Sequence, residues 1–167
     1  SMEQAGEDLQ REDAERAEQE QQDALSKLRD AREALDRESE ELARLNRERQ
    51  VTSVLQQLTE IRQQQESVFT ETVQIQAGRT SDEGRRQLLL LRRAADRLAT
   101  TQTGIADKVD DLRDQLREEL SRVFAFVLGN VSADMREIVE SLGDLEFGDY
   151  TQFLQREVLG DLDQLIE

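Results

Sequence analysis

The sequence predicts an all-α protein, an antiparallel coiled-coil hairpin followed by a short third C-terminal helix. Three observations lead there. The 167 residues include no Pro, Cys, His or Trp, and 36% are charged. That is too polar for a thick globular core and suits long helices with narrow apolar seams. Apolar residues recur at alternating steps of three and four on both sides of "QIQAGRTSDEG", residues 74–84, which is the a/d spacing of a left-handed coiled coil. That polar stretch also carries the stop and start signals of two helices.

Residues 1–22 are almost all Glu, Gln, Asp, Arg and Ala. These are good helix formers with little to bury, so a frayed or solvent-exposed helical end is expected. The hairpin is assigned to 23–142, with its turn at 77–81. Its first seam begins at Leu28, with Leu35 and Leu42 at sevens and Leu45 three further on; the phase slips across "NRERQ", 46–50. A second run follows as Val51, Val54, Leu58, Ile61, Gln65, Val68, Thr72 and Ile75. Gln65 and Thr72 are polar layers, which cost stability but fix register.

At the turn, Gly78 suits an αL C-cap, and Thr80 with Glu83 suits a capping box for the next helix. Folding back about position 80 sets Leu58 near Gln102 and Val51 near Val109. Basic residues Arg79, Arg85, Arg86, Arg92, Arg93 and Arg97 then find Glu60, Glu66 and Glu71 on the facing helix. The returning seam reads Leu88, Leu91, Ala95, Leu98, Gln102, Ile105, Val109, Leu112 and Leu116. Steps of three and four, with extra fours, carry it on through Leu120, Val123, Val127, Val131, Met135, Ile138, Leu142 and Leu145. Such stutters unwind a supercoil locally. One helix from about 81 to 142 is expected, kinked at most near Gly129 and Asn130.

Residues 143–167 read as a loop and a short amphipathic helix, with Gly143 at a C-cap and Asp149 with Gln152 as a capping box. Five of the six aromatics are Phe124, Phe126, Phe147, Tyr150 and Phe153. The apolar arc of the last helix is too wide for a lone solvated helix. It is expected to dock either on the second helix, over Phe124, Val127 and Val131, or on a partner. Candidate partner-binding residues are Phe124, Val127, Met135, Phe147, Tyr150, Phe153, Val158 and Leu162.

The composition removes His-based acid–base chemistry, thiol nucleophiles and thiolate metal sites. No catalytic, cofactor-binding or metal site is assigned, and no enzyme is expected. Asp107, Asp110, Asp111 and Asp114 share helix faces, but Lys108 and Arg113 interleave, so a solvated face is read in preference to a calcium site. "NVS" at 130–132 matches a glycosylation acceptor inside an apolar-phased segment. A net charge of −16 argues against nucleic-acid binding. No run approaches the ~20 apolar residues of a membrane span. The polar start and the amphipathic end both read as cut ends of a longer chain.

The blocks "LTEIRQQQESVFTETVQIQ" and "RRQLLLLRRAADRLATTQTGIADKVDDLRDQL", with Met135 to Leu142 and "EVLGDLDQL" after them, resemble bacterial envelope proteins with long coiled-coil regions. The resemblance covers about residues 51–167 and is compositional. It implies a bacterial origin and a place on the periplasmic side of the envelope, and supplies no catalytic residue. The expected function is a structural or interaction coiled-coil module, a spacer or scaffold that self-associates as a homodimer through its C-terminal half or binds a partner helix. The alternative is a regulatory or adaptor segment of a bacterial membrane or secretion system.

Overall fold

The structure, a computed structural model, describes residues 1–167, with Glu119 as backbone only. It is all helical: α1 Met2–Ala77, α2 Arg85–Glu119, α3 Arg122–Gly143 and α4 Asp149–Ile166. The chain divides into two units, Ser1–Gln50 and Val51–Glu167.

The first unit is the N-terminal part of α1. All its side chains up to Arg49 are exposed, including Leu28, Leu35, Leu42 and Leu45. The hairpin expected from residue 23 therefore has no covered seam before Val54. Helix here rests on the intrinsic preference of Ala, Glu, Gln and Arg, and not on burial.

In the second unit, polar contacts fix the direction of every neighbouring pair. Between α1 and α2, Gln65 and Gln102 exchange amide hydrogen bonds of 3.0 and 2.7 Å, and Arg97 donates to Glu71. Between α2 and α3, Arg136 donates to Asp107 and Asp110. Tyr150 of α4 donates to Glu137 of α3. Finally α4 returns to α1, through Arg62 with Asp163 and Gln155 with Thr72. The register runs antiparallel at each pair, giving an up-down-up-down four-helix bundle. Its core includes Ile61 and Val68 of α1, Ile105 and Leu112 of α2, Met135 and Ile138 of α3, and Val158 and Leu162 of α4.

The expected second helix is therefore two helices. It ends at Leu120, and the chain reverses at Ser121, whose backbone is extended (φ −159°, ψ 122°). The Ser121 hydroxyl accepts from the Phe124 N–H, while its own N–H donates to the Leu116 carbonyl at 2.8 Å. Burial explains the break. Ala125, Leu128, Val131, Ser132, Met135, Ile138, Ser141 and Leu142 form a stripe too broad for one facing helix, and folding back gives α3 two neighbours. Val123, expected in the seam, is 74% exposed, whereas Leu128 is fully buried. Gly129 and Asn130 lie inside unbroken helix. Gly129 faces α2, where an added Cβ would sit 3.6 Å from Arg113 Cδ. Small buried residues such as Ala106, Ala125 and Ser132 let α2 and α3 approach closely.

Helix ends differ from expectation in three places. The first connection runs from 78 to 84, longer than expected, and this moves the register by one heptad. Gln102 faces Gln65, not Leu58. No glycine has positive φ, so Gly78 is no αL cap, and α2 is capped by Gly84 without a side-chain bond while Thr80 stays in the loop. Glu83 is held by Arg79 at 3.1 Å. After α3 the left-handed residue is Leu145 (φ 60°), not a glycine. It completes a Schellman turn with Glu146 N–H to Ser141 O and Leu145 N–H to Leu142 O. A non-glycine there costs about 1–2 kcal/mol, offset by packing of the Leu145 side chain on the core. In the last helix Gly148 occupies the N-cap and Asp149 the first turn, while Gln152 donates to the Phe147 carbonyl, so no capping box forms.

Candidate interaction surfaces

Three surfaces carry unpartnered apolar side chains. On the first unit, Leu28, Leu35 and Leu42 recur at sevens, with exposures of 66, 65 and 56%. Ala17, Ala24 and Ala31 recur at sevens three residues out of phase with them. Leucine at a and alanine at d is a coiled-coil seam with a narrow, stepped profile. Nothing in the Ser1–Gln50 unit covers it, since that unit is a single helix.

The second surface is one end of the bundle. There Val51 and Leu55 of α1, Leu120 and Phe124 at the α2–α3 reversal, and Leu165 and Ile166 of α4 line an apolar groove of about 380 Å³. Phe126, 70% exposed, and Val123 lie on the same first turns of α3 but do not line the groove. Of the eight candidate partner-binding residues, Met135, Phe147, Val158 and Leu162 are core, packed inside the bundle. Val127 is half-buried against that core, and Phe124, Tyr150 and Phe153 are exposed. The structure brings Phe124 alone of these into the groove. Val51, Leu55 and Leu120 are not legible as a group in the sequence, because the second reversal gathers them and leaves no strong local signal.

The opposite end holds both remaining connections. Arg79 donates to the Leu145 carbonyl at 2.8 Å, and its guanidinium carbon lies 6.0 Å from the centre of the Phe147 ring. This ties the α1–α2 loop to the α3–α4 loop. Leu88, Leu89 and Leu90 are exposed here beside Arg85, Arg86, Arg92 and Arg93. Of the acids expected to offset this basic cluster, Glu71 pairs with Arg97, but Glu66 pairs with Arg62 on its own helix.

Charge along the α2–α3 contact is arranged around Asp110. Burial opposes ionisation of Asp110, but the Ser132 hydroxyl, Arg136 and Arg113 outweigh it and hold its carboxyl below the usual range. Aspartates of α2 thus meet arginines: Asp107 and Asp110 meet Arg136, and Asp110 and Asp114 meet Arg113. Asp134 is the opposite case. Burial raises its pKa, and Asp161, Glu137 and Glu157 add repulsion. A carboxyl whose folded pKa is raised weakens the fold once ionised, and that penalty vanishes as pH falls below its unfolded value, ~4. Asp134→Asn is therefore expected to raise the melting temperature at pH 7, with the gain shrinking to nothing near pH ~3.5. Thermal unfolding at both pH values checks it, with Asp110→Asn giving a loss at pH 7 in place of a gain.

No helix among the described residues is long and apolar enough to cross a membrane. No family model, curated protein or solved structure matches this chain.

Proposed function

We propose that this chain is a non-enzymatic interaction module, in which the bundle of Val51–Glu167 is the folding unit and the Ser1–Gln50 helix the coupling element. The observation that carries the reading is the heptad of Leu28, Leu35 and Leu42, exposed although it keeps the spacing of a buried coiled-coil seam. A solvated helix needs no such seam, because its charged and alanine-rich composition suffices to make it helical. Pairing of that seam with another helix supplies the apolar contact that the chain does not provide for itself.

Sedimentation velocity over a range of concentrations tests this. The full chain is expected to self-associate, and Leu35→Glu with Leu42→Glu is expected to weaken association by at least ~100-fold, about 2.8 kcal/mol. The melting temperature of the bundle should be unchanged, since neither residue is in its core. A chain that stays monomeric at all concentrations contradicts the self-associating form of the reading.

A second reading, an adaptor segment of a bacterial membrane or secretion system, is favoured by the apolar groove that Phe124 lines and by the exposed Phe126 on the same helix. Under it, Phe124→Ser with Phe126→Ser, and not the leucine substitutions, would abolish assembly.

A further inference from the structure

We infer that the seam of the Ser1–Gln50 helix is covered by a second copy of this chain running antiparallel to the first. The inference rests on the interaction-module reading and adds to it the partner, the orientation and the register.

Side-chain size is the first argument. Leucines occupy a positions 28, 35 and 42 and a d position at 45; alanines occupy d positions 17, 24 and 31 and an a position at 14. In an antiparallel pair, a residues of one helix meet d residues of the other. One register sets Leu28 against Ala31, Leu35 against Ala24, Leu42 against Ala17 and Leu45 against Ala14 of the second copy. The two-fold axis repeats each layer, so every leucine of this seam meets an alanine and every such alanine a leucine. Layers of one large and one small side chain have uniform width, which lets two helices pack without voids along the whole contact. A parallel, in-register pair stacks leucine on leucine and alanine on alanine, alternately wide and empty. One layer of the antiparallel register is polar, Gln21 against Glu38.

Charge is the second argument. Glu3–Ala24 holds nine acidic and two basic residues, net −7, while Ser26–Gln50 holds seven of each, net zero. Parallel pairing lays −7 along −7 and also sets Asp13 against Glu18 and Lys27 against Arg32. Antiparallel pairing in this register lays the acidic stretch along the segment that begins at Leu35, which up to Gln50 holds four arginines and five acidic residues, net −1. Its flanking contacts include Glu20 beside Glu41 and Asp13 beside Glu48, exposed repulsions that salt screens. The orientation thus spreads the negative charge that the parallel form would concentrate.

The polar layer offers a probe that removes no apolar contact, and the chain has no cysteine of its own. Gln21→Cys and Glu38→Cys chains are mixed, oxidised and compared with each chain alone on non-reducing gels, with sedimentation of the same samples. In the antiparallel register the thiol of the Gln21→Cys chain meets that of the Glu38→Cys chain. Two copies of either position lie ~17 residues out of register, ~25 Å apart at ~1.5 Å per residue, far beyond disulfide reach. The expected result is a mixed disulfide as the dominant oxidised species, with little product from either chain alone. Disulfides formed by each chain alone would show a parallel pair and overturn the inference while leaving the module reading intact. A dimer that forms neither product would overturn it by placing association elsewhere. A chain that does not self-associate in sedimentation would overturn it together with the self-associating form of the module reading.

Discussion

Leu128→Ala is expected to lower the unfolding free energy by about 2–5 kcal/mol, whereas Val123→Ala should change it by less than ~0.5 kcal/mol. The two residues are five apart in α3, and a single long helix with the periodicity of the sequence would bury Val123. The bundle does the reverse: Leu128 is fully enclosed between neighbouring helices, while Val123 faces solvent in the first turn after Ser121. Truncating Leu128 removes apolar burial and leaves a cavity that rigid neighbours fill incompletely. Truncating Val123 removes little that is not already wet. Urea denaturation of both variants, followed by helical circular dichroism, separates the two, and equal costs would contradict the placement of α3.

The second large effect concerns the glutamine layer. Gln65 and Gln102 are both fully buried and exchange a pair of amide hydrogen bonds across α1 and α2. Gln65→Leu leaves the Gln102 amide buried without its partner, and is expected to cost about 1–3 kcal/mol. The double change Gln65→Leu with Gln102→Leu should restore stability to the original value or above, because neither side then carries an unpaired amide. Gln102→Leu strands the Gln65 amide in the same way, so a double-mutant cycle should give a coupling equal to the sum of the two single costs, about 2–6 kcal/mol. The layer serves register. An a/d seam of leucines, isoleucines and valines tolerates a slip of one heptad, but such a slip parts the two amides. Gln155 and Thr72 make the corresponding buried bond between α4 and α1, at 2.9 Å, and so fix the last helix in the same way.

Much of this architecture is legible in the sequence, and the departures have identifiable causes. Helical content follows from composition and the three–four alternation. The boundary of the bundle is visible as the phase slip at 46–50, beside which the compact unit begins at Val51. The glutamines stand out as polar layers, but a turn centred near residue 80 sets them out of register with each other. Two buried amides in facing seams demand each other, and that demand alone corrects the register by one heptad. The reversal at Ser121 has no glycine or proline to announce it. The local signals are Ser121 as an N-cap and a broad apolar stripe beyond it, both weaker than the periodicity that runs across them. Leu145 is illegible for a related reason: a left-handed leucine is stabilised by core packing that only the assembled helices provide. Among the candidate surfaces, Leu28, Leu35 and Leu42 are marked by their spacing, but spacing alone does not tell an exposed seam from a covered one.

The up-down-up-down arrangement of Val51–Glu167 is tested most directly by one distance. Asp107 and Arg136 are exposed and touch across α2 and α3, with Nη2 to Oδ1 at 2.9 Å. Spin labels at Asp107→Cys and Arg136→Cys, in a chain with no other cysteine, report that separation by pulsed electron resonance. The bundle predicts a single short distance, of the order of two side chains in contact. A distribution near ~44 Å, the length of ~29 residues of unbroken helix at ~1.5 Å each, would show one continuous helix through Ser121 and contradict the fold.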